Sequence, residues 1–242
     1  MKRNFAFALV AAAGVTIAGP GLAAELLANG NFETGTFAGW STFDTGGGAA
    51  NSYFVIPNGG NLPASGQGTQ VNPGGGNFVA VGDQFIAGGE VLLQSFTTPG
   101  GQLTLTFDWF NKTNFAQFGS AIDGSTQSAR VDILFNGASP FDVGAGVADN
   151  LMLNEGTLTD PSTTIPWESA SFTITGLSAG TYELRFGNGQ CCNFQQFGVD
   201  NVSLTTSVPE PQTWSLMLLG FAALGYSGYR RAHSAPKMNN LT

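Results

Sequence analysis

Leu103-Thr104-Leu105-Thr106-Phe107-Asp108-Trp109 alternates apolar and polar residues without a break. Successive side chains of an extended strand point to opposite faces, so one side of this stretch is apolar and the other polar. A helix would scatter the same residues around its circumference. The stretch therefore reads as a half-buried β-strand. Residues 131–135 repeat the pattern and run into Asn136-Gly137, which predicts a tight hairpin turn. Residues 172–174 end at Gly176, and 177–180 turn the chain into a further strand at 182–186. Residues 198–205 read as the last strand. No helical period of useful length occurs between 25 and 205. Short alternating strands joined by turns predict an all-β antiparallel sandwich, a jelly roll. Residues 57–77 and 142–166 interrupt the alternation and read as long loops, where binding sites often sit.

Composition agrees. Gly is abundant at 35 residues, charged residues make up 10% of the chain, and 42% is hydrophobic. That is too apolar for a solvated disordered chain. The net charge is −8. Only Lys112, Arg130 and Arg185 lie between 25 and 205, against fifteen of the sixteen acids. Nucleic acid is excluded as a partner, because phosphate binding needs clustered cations. The acidic surface suits solubility outside the cell or binding of divalent cations. Cys191 and Cys192 are adjacent. They read as small turn residues, as a strained vicinal disulfide, or as partners of another chain or a metal.

Both ends carry apolar runs next to cations. Lys2 and Arg3 precede an apolar stretch at 5–18, then Pro20-Gly21 and the small residues Ala23 and Ala24. This is the layout of a secretory signal peptide over 1–24, which implies signal peptidase and the secretion machinery as partners. A second apolar run at 214–229 reads as a short transmembrane helix, with Trp214 at one interface and Arg230 and Arg231 on the cytoplasmic side. Residues 230–242 form a basic cytoplasmic tail, and the domain would face the periplasm. Residues 206–213 are a linker containing Val208-Pro209-Glu210-Pro211, held extended by its prolines.

Pro-Glu-Pro, an apolar helix and a basic pair, in that order, resemble the PEP-CTERM sorting signal of bacterial surface proteins. The resemblance implies cutting near Pro209-Glu210-Pro211 by an exosortase, a membrane-embedded cysteine peptidase. It also implies an inner-membrane-anchored precursor that ends at the cell surface or in a biofilm matrix. The chain departs from the pattern in that eleven residues follow Arg231.

A second resemblance covers 25–205. Asn29-Gly30-Asn31-Phe32-Glu33 followed by Gly39-Trp40 looks like the opening of galactose-binding-like jelly rolls found in carbohydrate-binding modules. Residues 197–204, Phe-Gly-Val-Asp-Asn-Val-Ser-Leu, look like their closing strand. The resemblance implies that the first and last strands lie together and that Glu33 and Asp200 help to hold a structural calcium ion. Both residues also read as caps of turns or as partners of nearby backbone.

The only histidine, His233, lies beyond the apolar run, which rules out a Ser-His-Asp triad and His-based zinc sites in the domain. Cys191 and Cys192 lack a histidine partner there. Asp108, Asp132 and Glu168 are candidate carboxylates for a glycosidase, yet strand alternation puts acids on solvent faces anyway. Sugar binding needs aromatic rings beside amides and carboxylates. Phe115, Phe118, Asn193, Phe194 and Gln195 are candidates in two segments that mix those types, and Tyr53 and Phe197 lie outside clear core positions. The same rings also read as core. Trp40, Trp109 and Trp167 read as core. Two functions follow: a non-catalytic surface or matrix protein with affinity for exopolysaccharide, or a secreted glycan hydrolase with paired carboxylates.

Overall fold

The structure is a computed structural model that describes residues 23–45, 51–84, 88–113, 128–142, 144–155, 164–190, 195–206 and 211–233. The chain divides into two compact units, Ala23–Ser207 and a second unit that contains the C-terminal helix.

Within the first unit the described strands are β1 (Ser41–Asp44), β2 (Asn51–Pro57), β3 (Phe78–Gln84), β4 (Gly88–Thr98), β5 (Gly101–Thr113), β6 (Ser128–Phe135), β7 (Gly146–Glu155), β8 (Thr164–Leu177), β9 (Gly180–Gln190) and β10 (Gln195–Thr206). They form two five-stranded sheets, β1-β4-β9-β6-β7 and β2-β3-β10-β5-β8. The pairings are antiparallel. This is the β-sandwich that the alternation predicts.

Alternation places the core between the sheets. Leu103, Leu105, Phe107 and Trp109 of β5 are buried there, facing Leu92, Phe96, Ile133, Leu184 and Phe186 of the other sheet. Edge-to-face contact of Phe107 with Phe186, centroids 5.1 Å apart, joins the two layers. Trp40 and Trp109 are core residues, as read from the sequence, and so are Tyr53 and Phe197, for which the sequence allowed either a core or a ligand role. On β3, Val79 and Val81 point the other way and are buried as well. Residues 57–77 fold over that outer face and bring Leu62 into a second cluster with Ile56 and Phe110. Phe54 and Trp167 pack against its edge. A segment rich in Gly, Asn and Pro thus buries one large side chain where it meets the sheet.

Two expectations about turns and loops are corrected. The chain does turn at Asn136-Gly137, with Ala138 N–H on the Phe135 carbonyl at 3.1 Å and Gly137 at φ 77°. However, β7 begins only at Gly146, so the hairpin connection is long. Its carbonyls at Pro140 and Asp142 accept from Arg185 Nη1 at 2.9 and 2.8 Å, which explains the extra length: the loop folds back to satisfy a buried guanidinium. Residues 142–166, expected as loop, contain all of β7. Asp149 and Glu155 are strand residues, concealed because Gly146-Val147-Ala148-Asp149-Asn150 does not alternate cleanly.

The first and last parts of the unit lie together, as the jelly-roll resemblance implies. Leu26 N–H donates to the Leu204 carbonyl at 2.9 Å, and Val202 N–H donates to the Gly30 carbonyl at 2.9 Å. The opening motif has a compact local geometry. Asn29 and Phe32 sit at positive φ, 50° and 53°. Asn29 Nδ2 ties down the carbonyls of Thr36 and Ala38, and Trp40 Nε1 donates to the Asn29 carbonyl at 3.2 Å. Gly30 has no room for a side chain, because a Cβ would collide with the Val202 carbonyl oxygen.

In the second unit, α1 runs Pro211–His233. Pro211 suits a first helical position, where its missing N–H costs nothing. The helix extends beyond the expected 214–229 at both ends and includes Arg230 and Arg231. Its 23 residues reach about 35 Å, longer than a bilayer core. Its polarity leaves the expected span unsupported. Gly220, Gly225 and Gly228 with Ser215, Ser227, Tyr226 and Tyr229 dilute the apolar run, and among the described residues no helix is long and apolar enough to cross a membrane.

Candidate functional site

β5 and β10 are neighbours, and their register sets Asp108 opposite Asp200. The residues beside them, Phe107, Trp109 and Val199, fill the core, so both carboxylates project from the outer face of the sheet. After Asp200 the pairing shifts by a bulge, and Asn201 adopts φ 50°. Bulges re-aim side chains, and this one turns Asn201 Nδ2 onto Asp108 Oδ2 at 2.8 Å.

Residues 72–76, Asn-Pro-Gly-Gly-Gly, cover the pair. Asn72 Nδ2 donates to Asp200 Oδ2 at 2.9 Å, and Asn201 N–H donates to Asp200 Oδ1 at 2.8 Å. A Cβ on Gly75 would lie 2.5 Å from Asp200 Oδ2, and one on Gly76 would collide with the Glu33 carboxylate. Bare backbone is therefore what lets the loop close over the acids. Glu33 accepts from Phe78 N–H at 3.0 Å and from Asn77 Nδ2 at 3.0 Å. Those donors hold its carboxyl below the usual range. Asp200 behaves oppositely. Burial pushes it up to about 6, and the Asp108 and Glu33 charges push the same way. The hydrogen bonds from Asn201 and Asn72 only partly offset this.

Glu33 and Asp200, named from two distant motifs, thus meet at one loop. The donor chemistry is that of calcium, which takes carboxylates and amide or backbone carbonyls. Among the described residues no group of three or more His, Cys, Asp or Glu side chains is arranged to hold a metal. A cation here would draw on Glu33 and Asp200 with carbonyl oxygens. Asp108 was read from sequence as a candidate glycosidase carboxylate and 57–77 as a loop, but their meeting with Asp200 and Glu33 was missed. A signal was available in the glycine run at 74–76, because consecutive glycines permit close backbone approach.

A groove adjoins this cluster. Two neighbouring cavities, about 210 and 320 Å³, share Asp108 and Ser169. Trp167 and Glu168 of β8 wall the first, and Ser171 and Asn201 line the second. Ser169 Oγ donates to Asp108 Oδ1 at 2.6 Å. Trp167, expected in the core, is half-buried: it packs on Phe110 with centroids 4.8 Å apart and donates from Nε1 to the Gln70 carbonyl at 3.0 Å.

The other candidate carboxylate, Asp132, is buried in ion pairs with Arg130 and Arg185, both at 2.6 Å. It has no access to substrate. Of the candidate ligand residues, Gln195 is fully buried, with Nε2 on Asn111 Oδ1 at 3.2 Å, and packs as a core polar residue. Phe115, Phe118, Asn193 and Phe194 lie outside the described residues, as do Cys191, Cys192, Val208, Pro209, Glu210 and residues 1–22 of the signal segment.

Residues 207–231 match the family described as the PEP-CTERM protein-sorting motif. The chain carries a PEP-CTERM sorting signal. The PEP-CTERM segment starts directly after β10 ends at Thr206 and contains most of α1. No curated protein matches the sequence. The β unit is similar to solved adhesin and carbohydrate-binding sandwiches. The K3 cleaved adhesin domain of Lys-gingipain from Porphyromonas gingivalis is 20% identical, with a TM-score of 0.49 over 76% of this chain and 99% of that one. TmCBM61, solved in complex with β-1,4-galactotriose, is 14% identical with a TM-score of 0.44, over 76% of this chain and 99% of that one. A family 16 carbohydrate-binding module is 14% identical with a TM-score of 0.40, over 75% of this chain and 99% of that one.

Proposed function

We propose that this chain is a non-catalytic exported surface or matrix protein, sorted by its tail and cut by an exosortase, with affinity for exopolysaccharide. One observation carries the reading: a PEP-CTERM sorting motif at 207–231 follows a compact sandwich unit. The precursor is held at the inner membrane with its sandwich in the periplasm, and signal peptidase removes 1–24. Cutting near Pro209-Glu210-Pro211 releases the sandwich to the cell surface or matrix. Glu33 and Asp200 hold a structural calcium ion beneath the glycine loop.

Mass spectrometry of the protein recovered from the surface of producing cells tests the processing. The mature form is expected to start at residue 24 or 25 and to end near residue 210. A surface protein that retains residues 214–242 would overturn it.

A second reading has one observation in its favour. Asp108 and Glu168 line a single cavity, and paired carboxylates flanking a cleft are the requirement for glycoside hydrolysis. Release of reducing ends from the producer's polysaccharide, abolished in Glu168→Gln, would establish it. Binding without turnover supports the non-catalytic reading.

A further inference from the structure

We infer that the groove between the Asn72–Gly74 loop and β8 is the glycan-binding site, and that it takes an uncharged rather than an acidic glycan. This rests on the exopolysaccharide reading and assigns it a location and a ligand class.

The groove is built before any ligand arrives. Trp167 is fixed on one side by Phe110 and at its nitrogen by the Gln70 carbonyl, so its ring cannot swing away. Asp108 is held from three directions, by Ser169 Oγ at 2.6 Å, Asn201 Nδ2 at 2.8 Å and Asn72 Nδ2 at 3.4 Å. A carboxylate offers about four lone-pair positions, so Asp108 can still accept from a sugar hydroxyl. The Ser169 hydroxyl, having donated to Asp108, keeps acceptor capacity. Glu168 is exposed at the rim. Fixed aromatic surface beside fixed polar groups lowers the ordering cost of binding. Cavities of about 210 and 320 Å³ lie at or below the lower end of ligand sites, which run from roughly 300 to 1,000 Å³. That suits one or two sugar rings of a longer chain.

Charge decides the class. Asp108 and Glu168 line the groove, Asp200 lies beside Asp108, and no Lys or Arg is among the described lining residues. A uronate or a sulfated sugar would bring a like charge into this field. A neutral sugar offers hydroxyl donors to the same carboxylates.

The test separates exopolysaccharide from the producing cells into neutral and acidic pools by anion exchange, and measures binding of each to the purified full-length protein. The neutral pool is expected to bind. Glu168→Gln, at unchanged melting temperature, and Ser169→Ala are each expected to weaken that binding about fivefold or more. Glu168→Lys is expected to admit the acidic pool. Neutral binding undiminished by both variants would move the site elsewhere while leaving the exopolysaccharide reading intact. Preference of the wild-type protein for the acidic pool would overturn the ligand class. Binding of neither pool would remove the exopolysaccharide reading and this site together.

Discussion

Glu90 is a single carboxyl placed where its charge has no counterpart. It points between the sheets and is fully buried, with Asn188 Nδ2 donating to Oε1 at 2.7 Å and no partner at Oε2. Burial pushes its pKa well above the usual range, and the Asp83 and Asp44 charges add to the rise. Tyr53, buried beside it, is pushed up as well. The folded state therefore keeps a proton on Glu90 that the unfolded chain releases above about pH 4.5. The native state binds more protons, so stability falls as pH rises from the unfolded pKa toward the folded one. Glu90→Gln keeps the shape and removes the titration. It is expected to raise stability at pH 7–8 and to flatten that decline. Denaturant melts of both proteins at pH 4 and pH 8 check this. An unchanged pH slope would show that Glu90 is not the group responsible. Asp132 is the opposite case, a buried charge that is over-compensated. It takes four bonds from two guanidiniums, Arg130 and Arg185. Asp132→Asn leaves two buried cations without their anion. It is expected to cost about 3–5 kcal/mol, read as a loss of urea midpoint.

At the scale of elements, β5, β10 and the Asn72–Gly76 loop form one device. Two strands supply the paired acids, a bulge aims Asn201, and a loop without side chains closes the top. Burial in this device pushes the Asp200 carboxyl up to about 6. Calcium binding would favour the ionised carboxylate, so calcium is expected to raise the melting temperature at pH 7 by several degrees. Asp200→Ala is expected to lose that increment, which calorimetry with and without calcium measures. Equal stabilisation of both forms would remove calcium from this place. Much of this device was legible in the sequence. Alternation in 103–109 identified β5 and its outward Asp108, and the two flanking motifs identified Glu33 and Asp200. Their convergence with Asn72 was not legible, because register and strand order are settled by long-range pairing rather than by local period. β7 escaped for a related reason: it is an edge strand with Gly146, Asp149 and Asn150, whose place is fixed by pairing with β6 more than by its own pattern.

On the scale of the whole molecule, the two units divide the work. The sandwich contains its own core and both sheets within Ala23–Ser207, while the sorting signal lies in 207–231. Folding stability and cellular address are thus encoded by separate stretches of chain. Truncation after Ser207 removes no member of the inter-sheet core. The truncated protein is expected to melt within about 2 °C of the full-length form, a difference that corresponds to under about 1 kcal/mol for a unit of this size. Its distribution is expected to change completely, with the protein accumulating in the periplasm instead of at the surface. The converse fusion makes the stricter demand: residues 207–242 placed behind an unrelated exported domain are expected to carry that domain to the surface of cells that possess the peptidase and not of cells that lack it. Immunoblots of periplasmic and surface fractions read both outcomes. A truncated chain that still reaches the surface would place the address within the sandwich itself.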